Sequence, residues 1–222
     1  KTEGMEYTYI KNPWHVHGMT FDGLIVDDMS IDKSLVKQMM SYVRREFMSN
    51  TDFNKLAKEI HQYNKEAGWW DGDRSIETAL MLVVTEIAEA TEGERKDLMD
   101  DHLPNRKMGE VELADALIRM LDIGGHLKLD CYPVSHISNN SEDIFHIHLD
   151  LCDYILGMYS HLGGYGKTYI EDEYSGFIEQ ILYASKMKKY DVISAMYEKI
   201  EYNKTRADHK KENRAKAGGK KV

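Results

Sequence analysis

Two apolar stretches that carry regularly spaced acids decide the fold. Residues 75–97 read SIETALMLVVTEIAEATEGERKD, and residues 108–128 read MGEVELADALIRMLDIGGHLK. Apolar residues recur in both at three- and four-residue steps, which is the pattern of a helix that buries one face. Pro104 lies between the two stretches and is typical of a loop. We therefore predict two consecutive helices, the first capped by Asp73 or Ser75.

The same periodicity predicts further helices on both sides of this pair. Their approximate bounds are 33–50, 51–68, 143–161, 171–187 and 190–204. Thr51 is the capping candidate of the second of them, and Gly68 its predicted end. With only 3 prolines in 222 residues and no convincing strand pair, we expect an all-α fold, a helical bundle. We expect an irregular arm over 1–30 and one domain over 31–222.

Charge and composition argue against a nucleic-acid-binding protein and against a membrane protein. The chain has a formal charge of −9, which argues against a general nucleic-acid coat, so no stable nucleic-acid partner is expected. The charge is uneven, since residues 203–222 form a basic tail with eight basic and two acidic residues. No window of 18 apolar residues occurs, and no apolar run follows basic residues near the start, so we predict no membrane partner and a cytoplasmic location. Two cysteines fit a reducing compartment.

Two acid pairs lie where a core-facing helix should be apolar. Glu86 and Glu89 are three residues apart and leave the same side of their helix, and Glu112 and Asp115 repeat this spacing on the next helix. If the helices pack antiparallel, the four carboxylates can meet in one space. Like charges held that close need a cation, and all-oxygen ligands favour Mg²⁺ over zinc. The competing interpretation is a set of solvated surface acids.

The acid pattern is similar to that of a known family. Glu86-x-x-Glu89, a gap of 22 residues and Glu112-x-x-Asp115 resemble the signature of the MazG-like nucleoside triphosphate pyrophosphohydrolases, within the all-α NTP pyrophosphatase superfamily. One departure is Thr85, which stands where many relatives have an additional glutamate.

The resemblance extends to both sides of the acids. Leu56 to Asp73 is similar to the family's first helix and its aromatic turn, and Tyr197 to Arg206 is similar to its basic closing segment. These stretches cover about 75 residues before a loop at 129 and about 30 residues at the end. Residues 131–188 look like a helical insertion that the compact family pattern does not contain.

The resemblance implies an Mg²⁺-dependent hydrolase, with Mn²⁺ as a substitute, that cleaves an NTP or dNTP to the monophosphate and pyrophosphate. The base and sugar stay open, and non-canonical and alarmone nucleotides are included. The implied catalytic and metal-binding residues are Glu86, Glu89, Glu112 and Asp115. Because relatives form dimers or tetramers, we expect a homodimer or homotetramer.

Basic and aromatic residues supply candidates for substrate binding. Lys199, Asn203 and Arg206 lie at i, i+4 and i+7 on one predicted helix face, where they can bind the outer phosphates. The alternative is a solvated basic helix end that complements its own dipole. Trp70, with His61 upstream, can stack on the base, and either residue is equally suited to hold a loop against the core.

Two non-enzymatic alternatives remain open. One is a helical protein that senses nucleotides without turnover on the same scaffold. The other is an oligomerisation module in which residues 131–188 form a helix-pair interface. His15-x-His17 is a weaker candidate for a metal site.

Overall fold

The computed structural model describes residues 51–72, 74–134, 141–164, 166–207 and 211–214. The predicted arm over 1–30, the predicted helix over 33–50, the His15-x-His17 pair and most of the basic tail lie outside these residues. The described helices are α1 Phe53–Glu66, α2 Ile76–Lys96, α3 Met108–Leu127, α4 Ile144–His161, α5 Lys167–Lys188, α6 Val192–Thr205 and the single turn α7 Lys211–Arg214.

The all-α prediction is confirmed for the described ranges. Apart from helices they contain one isolated antiparallel bridge, between Met99 and Lys107, in the connection from α2 to α3. None of the helices described is both long and apolar enough to span a lipid bilayer.

Helices α1, α2, α4 and α6 begin after a short polar side chain that accepts a backbone N–H group. Ser75 caps α2 as predicted, with its hydroxyl accepting the Thr78 amide. The cap of α1 is Asp52, which accepts the Lys55 amide, so the prediction of Thr51 is one residue off. A carboxylate at this position also interacts favourably with the helix dipole.

Helix α5 begins at Lys167, four residues before the predicted start. The apolar periodicity starts only further along the chain, but a polar first turn is held by an ion pair of 2.7 Å between Lys167 and Glu171. Glu171 also accepts the backbone N–H of Asp130, which ties this turn to the end of α3. These contacts are non-local or polar, so apolar spacing does not reveal them.

Helix α3 lies at the centre of the bundle. It packs against α1, α2, α5 and α6, while α4 packs on α5 and α2. The centre of α3 is fully buried, as the zero exposure of Leu113, Leu117 and Leu121 shows. Buried side chains of α4 and α5 belong to the same hydrophobic core, so the helices of the 131–188 segment are an integral part of the bundle.

Two adjacent glycines let α3 approach its neighbours closely. A methyl group added at Gly124 would lie 2.4 Å from the Tyr174 ring of α5, and one at Gly125 would lie 2.4 Å from the Ala57 carbonyl oxygen of α1. Both distances are far below van der Waals contact. The glycine pair therefore acts inside α3, where it sets how near α1 and α5 pack.

Arg106 fastens α6 to the start of α3. Its guanidinium donates to the Glu198 carboxylate at 2.7 and 3.0 Å, to Glu110 at 2.7 Å and to the Ser194 hydroxyl at 2.9 Å. Glu198 and Ser194 belong to α6, and Glu110 to α3. This side chain thereby fixes the position of α6, whose other residues face the acids described next.

Candidate metal and phosphate site

The acid-bearing helices α2 and α3 run antiparallel. Gly93 near the end of α2 abuts Gly109 near the start of α3, whereas Glu86, further back on α2, pairs with Arg119, further along α3. This is the arrangement in which acids on two consecutive helices can meet.

Three of the four predicted acids converge. Oxygen atoms of Glu86, Glu89 and Glu112 all lie within 4.8 Å of one another. Glu86 and Glu112 are buried, and Glu89 is exposed and lines a cavity. Three hard oxygen donors in this spacing suit Mg²⁺ or Mn²⁺, which coordinate carboxylates together with water and phosphate oxygens.

Asp115 lies beside this group but is engaged by a lysine. Its carboxylate forms an ion pair of 2.9 Å with the ammonium group of Lys199 on α6. Lys199 is 2 % exposed, and its Nζ also lies 3.5 Å from Nδ1 of His102. Burial opposes the charged form of Lys199, but the Asp115 carboxylate prevails and raises the pKa of the lysine. Asp115 is thus paired with a cation that stays charged.

Burial and the neighbouring acids both raise the pKa of Glu112. Burial raises the pKa of Glu112 to about 9, and the negative charges of Asp115, Glu86 and Glu89 act in the same direction, while Lys199 opposes them. The carboxyl group therefore holds a proton at neutral pH unless a cation takes its place. A divalent ion would provide that cation, so the residues present fit the implied metal.

A cavity of about 720 Å³ opens over the acids. The cavity lining includes the four acids, which we call its floor, and the three predicted phosphate-binding residues, which we call its cationic wall. Lys199 and Asn203 belong to α6, and Arg206 is the extended residue that follows the end of this helix. The Oδ1 atom of Asn203 is buried and accepts no hydrogen bond from the described residues. A buried acceptor without a partner costs free energy, so a donor from the solvent or from a bound molecule would stabilise this oxygen.

Part of the cavity lining is aromatic and apolar. Tyr63, Trp69, Leu56 and Leu82 belong to it, together with the guanidinium-bearing Arg74. The sequence interpretation named Trp70 and His61 as candidates for stacking on the base. In the structure the aromatic side chains of Trp69, Tyr63 and Tyr197 line the cavity instead.

Trp70 and His61 lie outside this lining, in a cluster around Asp122. The Trp70 indole N–H donates to the Asp122 carboxylate at 2.9 Å, and Nδ1 of His61 lies 2.8 Å from the same oxygen atom. Asn64 donates to the other oxygen at 2.8 Å. His126 stacks on the Trp70 ring with centroids 4.0 Å apart. The described contacts of Trp70 and His61 are those expected of side chains that hold a loop against the core.

The sequence interpretation also missed Arg119. This residue follows Asp115 by four positions and Glu112 by seven, so it lies on the acid face of α3. Its Nε donates to Oε1 of Glu86 at 2.6 Å, and its side chain lines the cavity. The i, i+3 and i, i+4 spacing that identified the acids would also have identified Arg119. Thr85 also lines the cavity, with its hydroxyl donating to the Leu82 carbonyl at 2.7 Å.

Comparison with known proteins adds no relative, because no family model, no curated protein and no solved structure matches this chain.

Proposed function

We propose that the protein is an Mg²⁺-dependent nucleoside triphosphate pyrophosphohydrolase that releases pyrophosphate and the nucleoside monophosphate. One observation carries the proposal: three converging carboxylates and the cationic wall line the same cavity, whose volume is large enough for a nucleotide. The resemblance of the acid pattern to MazG-like enzymes supports the same reaction.

Each wall of the cavity has a distinct task in this proposal. Glu86, Glu89 and Glu112 would hold the ion. When bound, Mg²⁺ supplies positive charge to the triphosphate in the transition state and lowers the pKa of water. Arg206 and the amide of Asn203 bind phosphate oxygens on the cationic wall, where a guanidinium can bind two oxygens at once.

The aromatic part of the cavity lining binds the base. Trp69 and Tyr63 line the cavity with aromatic rings, and such rings can stack on any base; the Lys204 ammonium lies 5.9 Å from the centroid of the Tyr63 ring. This arrangement positions a nucleotide with its phosphates over the acids. Positioning and charge neutralisation are most of what phosphoryl transfer requires from a protein.

The experiment is a panel of canonical and modified NTPs and dNTPs with Mg²⁺ and a readout of pyrophosphate. Glu112→Gln should lower turnover at least 100-fold, on the order of the loss of one key electrostatic group. Glutamine has the shape of the protonated acid that the metal-free protein holds, so the variant should fold. Chelation with EDTA should stop the reaction, and Mn²⁺ should restore it.

The matched control is Glu92→Gln. Glu92 is on the same helix as Glu86 and Glu89, but its carboxylate bonds Arg95 and Lys96 outside the cavity. The turnover of the Glu92→Gln variant should equal that of the unchanged protein. A silent panel together with nucleotide binding by calorimetry would support the nucleotide sensor instead, and a panel with neither turnover nor binding would overturn both assignments.

A further inference from the structure

The four acids of the cavity floor divide into two neutralised and two free carboxylates. Arg119 binds Glu86 at 2.6 Å, and Lys199 binds Asp115 at 2.9 Å. Within the described ranges no ion pair reaches Glu89 or Glu112. Four negative charges against two positive ones leave a formal charge of −2 when all the acids are ionised. One divalent ion cancels that charge.

We infer that Arg119 is a positioning residue that limits this site to one divalent ion per chain. Its guanidinium neutralises Glu86 and directs that carboxylate, so the floor lacks the charge that a second ion would need. The inference rests on the proposed metal site, and it adds the number of ions and the residue that sets it.

Arg119 and Lys199 differ in exposure and in the carboxylate with which each one pairs. Both side chains line the cavity, but the Lys199 side chain is 3 % exposed and therefore enclosed by its neighbours, whereas the Arg119 side chain is 36 % exposed. Its partner Glu86 is a member of the three-acid group, whereas Asp115 is not. Arg119 therefore pairs with a carboxylate that would hold the ion. Because its side chain is partly exposed, Arg119 can be substituted without a cavity in the hydrophobic core.

Loss of the guanidinium has two opposite consequences. The metal-free floor becomes more negative by one charge, which strengthens attraction for a divalent cation. The same charge repels the triphosphate, which weakens nucleotide binding. A residue that only maintained the fold would weaken both when removed.

The test counts ions on the full chain without nucleotide, by calorimetry with Mg²⁺ and by the electron paramagnetic resonance of free Mn²⁺. The unchanged protein should bind one ion per chain. Arg119→Gln should bind the ion about ten-fold more tightly, as expected for one unit charge removed a few ångströms away in a shielded site. Arg119→Lys keeps the charge and should stay within about three-fold of the unchanged protein.

Nucleotide binding completes the test. Arg119→Gln should raise the KM for the triphosphate several-fold while its metal affinity rises. Two ions per chain in the unchanged protein, no ion at all, or an Arg119→Gln variant with equal or weaker ion affinity would each overturn the inference. Ion counting needs no turnover, so a protein that binds one ion in this manner but cleaves no nucleotide would refute only the proposed function.

Discussion

Asp122 is the buried acid whose environment is most completely defined. It is 5 % exposed, and both its oxygens have side-chain partners on α1 or in the turn after it. Hydrogen bonds from His61, Asn64 and Trp70 join three segments at one carboxylate. Bonds to an ionised acceptor are stronger than those between neutral groups. The cluster thereby fixes the turn that carries Trp69 on the cavity wall.

Asp122→Asn should lower the free energy of unfolding by about 1–3 kcal/mol. The amide retains only one acceptor oxygen, and its NH₂ group would face N–H donors in a buried place. Urea denaturation measures this loss. Asp130→Asn is the control, because that side chain is 72 % exposed, and its stability should change by less than about 0.5 kcal/mol. Equal losses in the two variants would contradict the structural role of Asp122.

The sequence predicts residues of the site where a local spacing rule applies. The i, i+3 spacing on two antiparallel helices predicted four converging acids, of which Glu86, Glu89 and Glu112 converge, while the fourth pairs with a lysine. The i, i+4, i+7 spacing predicted one helix face for Lys199, Asn203 and Arg206. All three line the cavity, but the helix ends at Thr205, before the last of them. The partners of Asp122 could not be found this way, because they lie 52 to 61 positions earlier in the chain. Helical periodicity contains no information on contacts at that separation.

At the scale of an element, α4 has two apolar faces of different kinds. One face, with Ile147, Leu151 and Met158, is fully buried against α2 and α5. The other carries Leu149 and Leu156, which are 69 % and 62 % exposed. The sequence predicted this helix with nearly its observed bounds, and the apolar stripe that contains Ile147, Leu151 and Met158 is the face that the structure buries.

Leu151→Ala should destabilise the protein by about 2–5 kcal/mol, because it removes buried apolar area and leaves a cavity. Leu156→Ala on the same helix should change stability by less than about 0.5 kcal/mol, because that side chain already contacts water. Denaturant unfolding of both variants compares the same leucine-to-alanine substitution on the two faces of one helix. A loss above 1 kcal/mol for Leu156→Ala would show that the outer face is covered in solution, and light scattering would then identify a homodimer or homotetramer.

At the scale of the whole molecule, the free energy of unfolding should depend on pH through one buried histidine. His148 of α4 is 3 % exposed, and burial lowers its pKa from 6.5 to about 4. Glu94 opposes this shift and Lys188 adds to it. The Thr91 hydroxyl donates to the Ile87 carbonyl, so it accepts from Nδ1 of His148 at 2.7 Å. Nε2 is buried without a partner among the described residues, so a proton there would be a buried donor.

The sign follows from which state binds the proton. Between pH 6.5 and about 4 the unfolded chain carries a charged histidine and the folded chain a neutral one, so acidification favours unfolding. The contribution reaches about 3 kcal/mol at the acid end of this window. Urea denaturation from pH 7 to pH 4 should show a steeper fall for the unchanged protein than for His148→Gln. Parallel curves would exclude His148 as the titrating group.

The bundle itself was predictable because every long helix has a local signal, an apolar stripe and usually a capping residue. The packing of the helices against one another could not be predicted. The central position of α3 depends on Gly124 and Gly125, and the contacts of these glycines with Tyr174 and Ala57 are known only from the structure. The expected homodimer or homotetramer stays a prediction.

The order of elements along the chain has a consequence for synthesis. The acidic floor is complete once α3 has formed, whereas Lys199 of the cationic wall belongs to α6, some 70 residues later. A nascent chain thus displays its cluster of acids before any lysine from α6 can reach Asp115. Until α6 has been synthesised, Asp115 lacks its Lys199 partner, while Arg119 can already pair with Glu86. The remaining negative charge of the acids must then be balanced by other cations, including those of the solution.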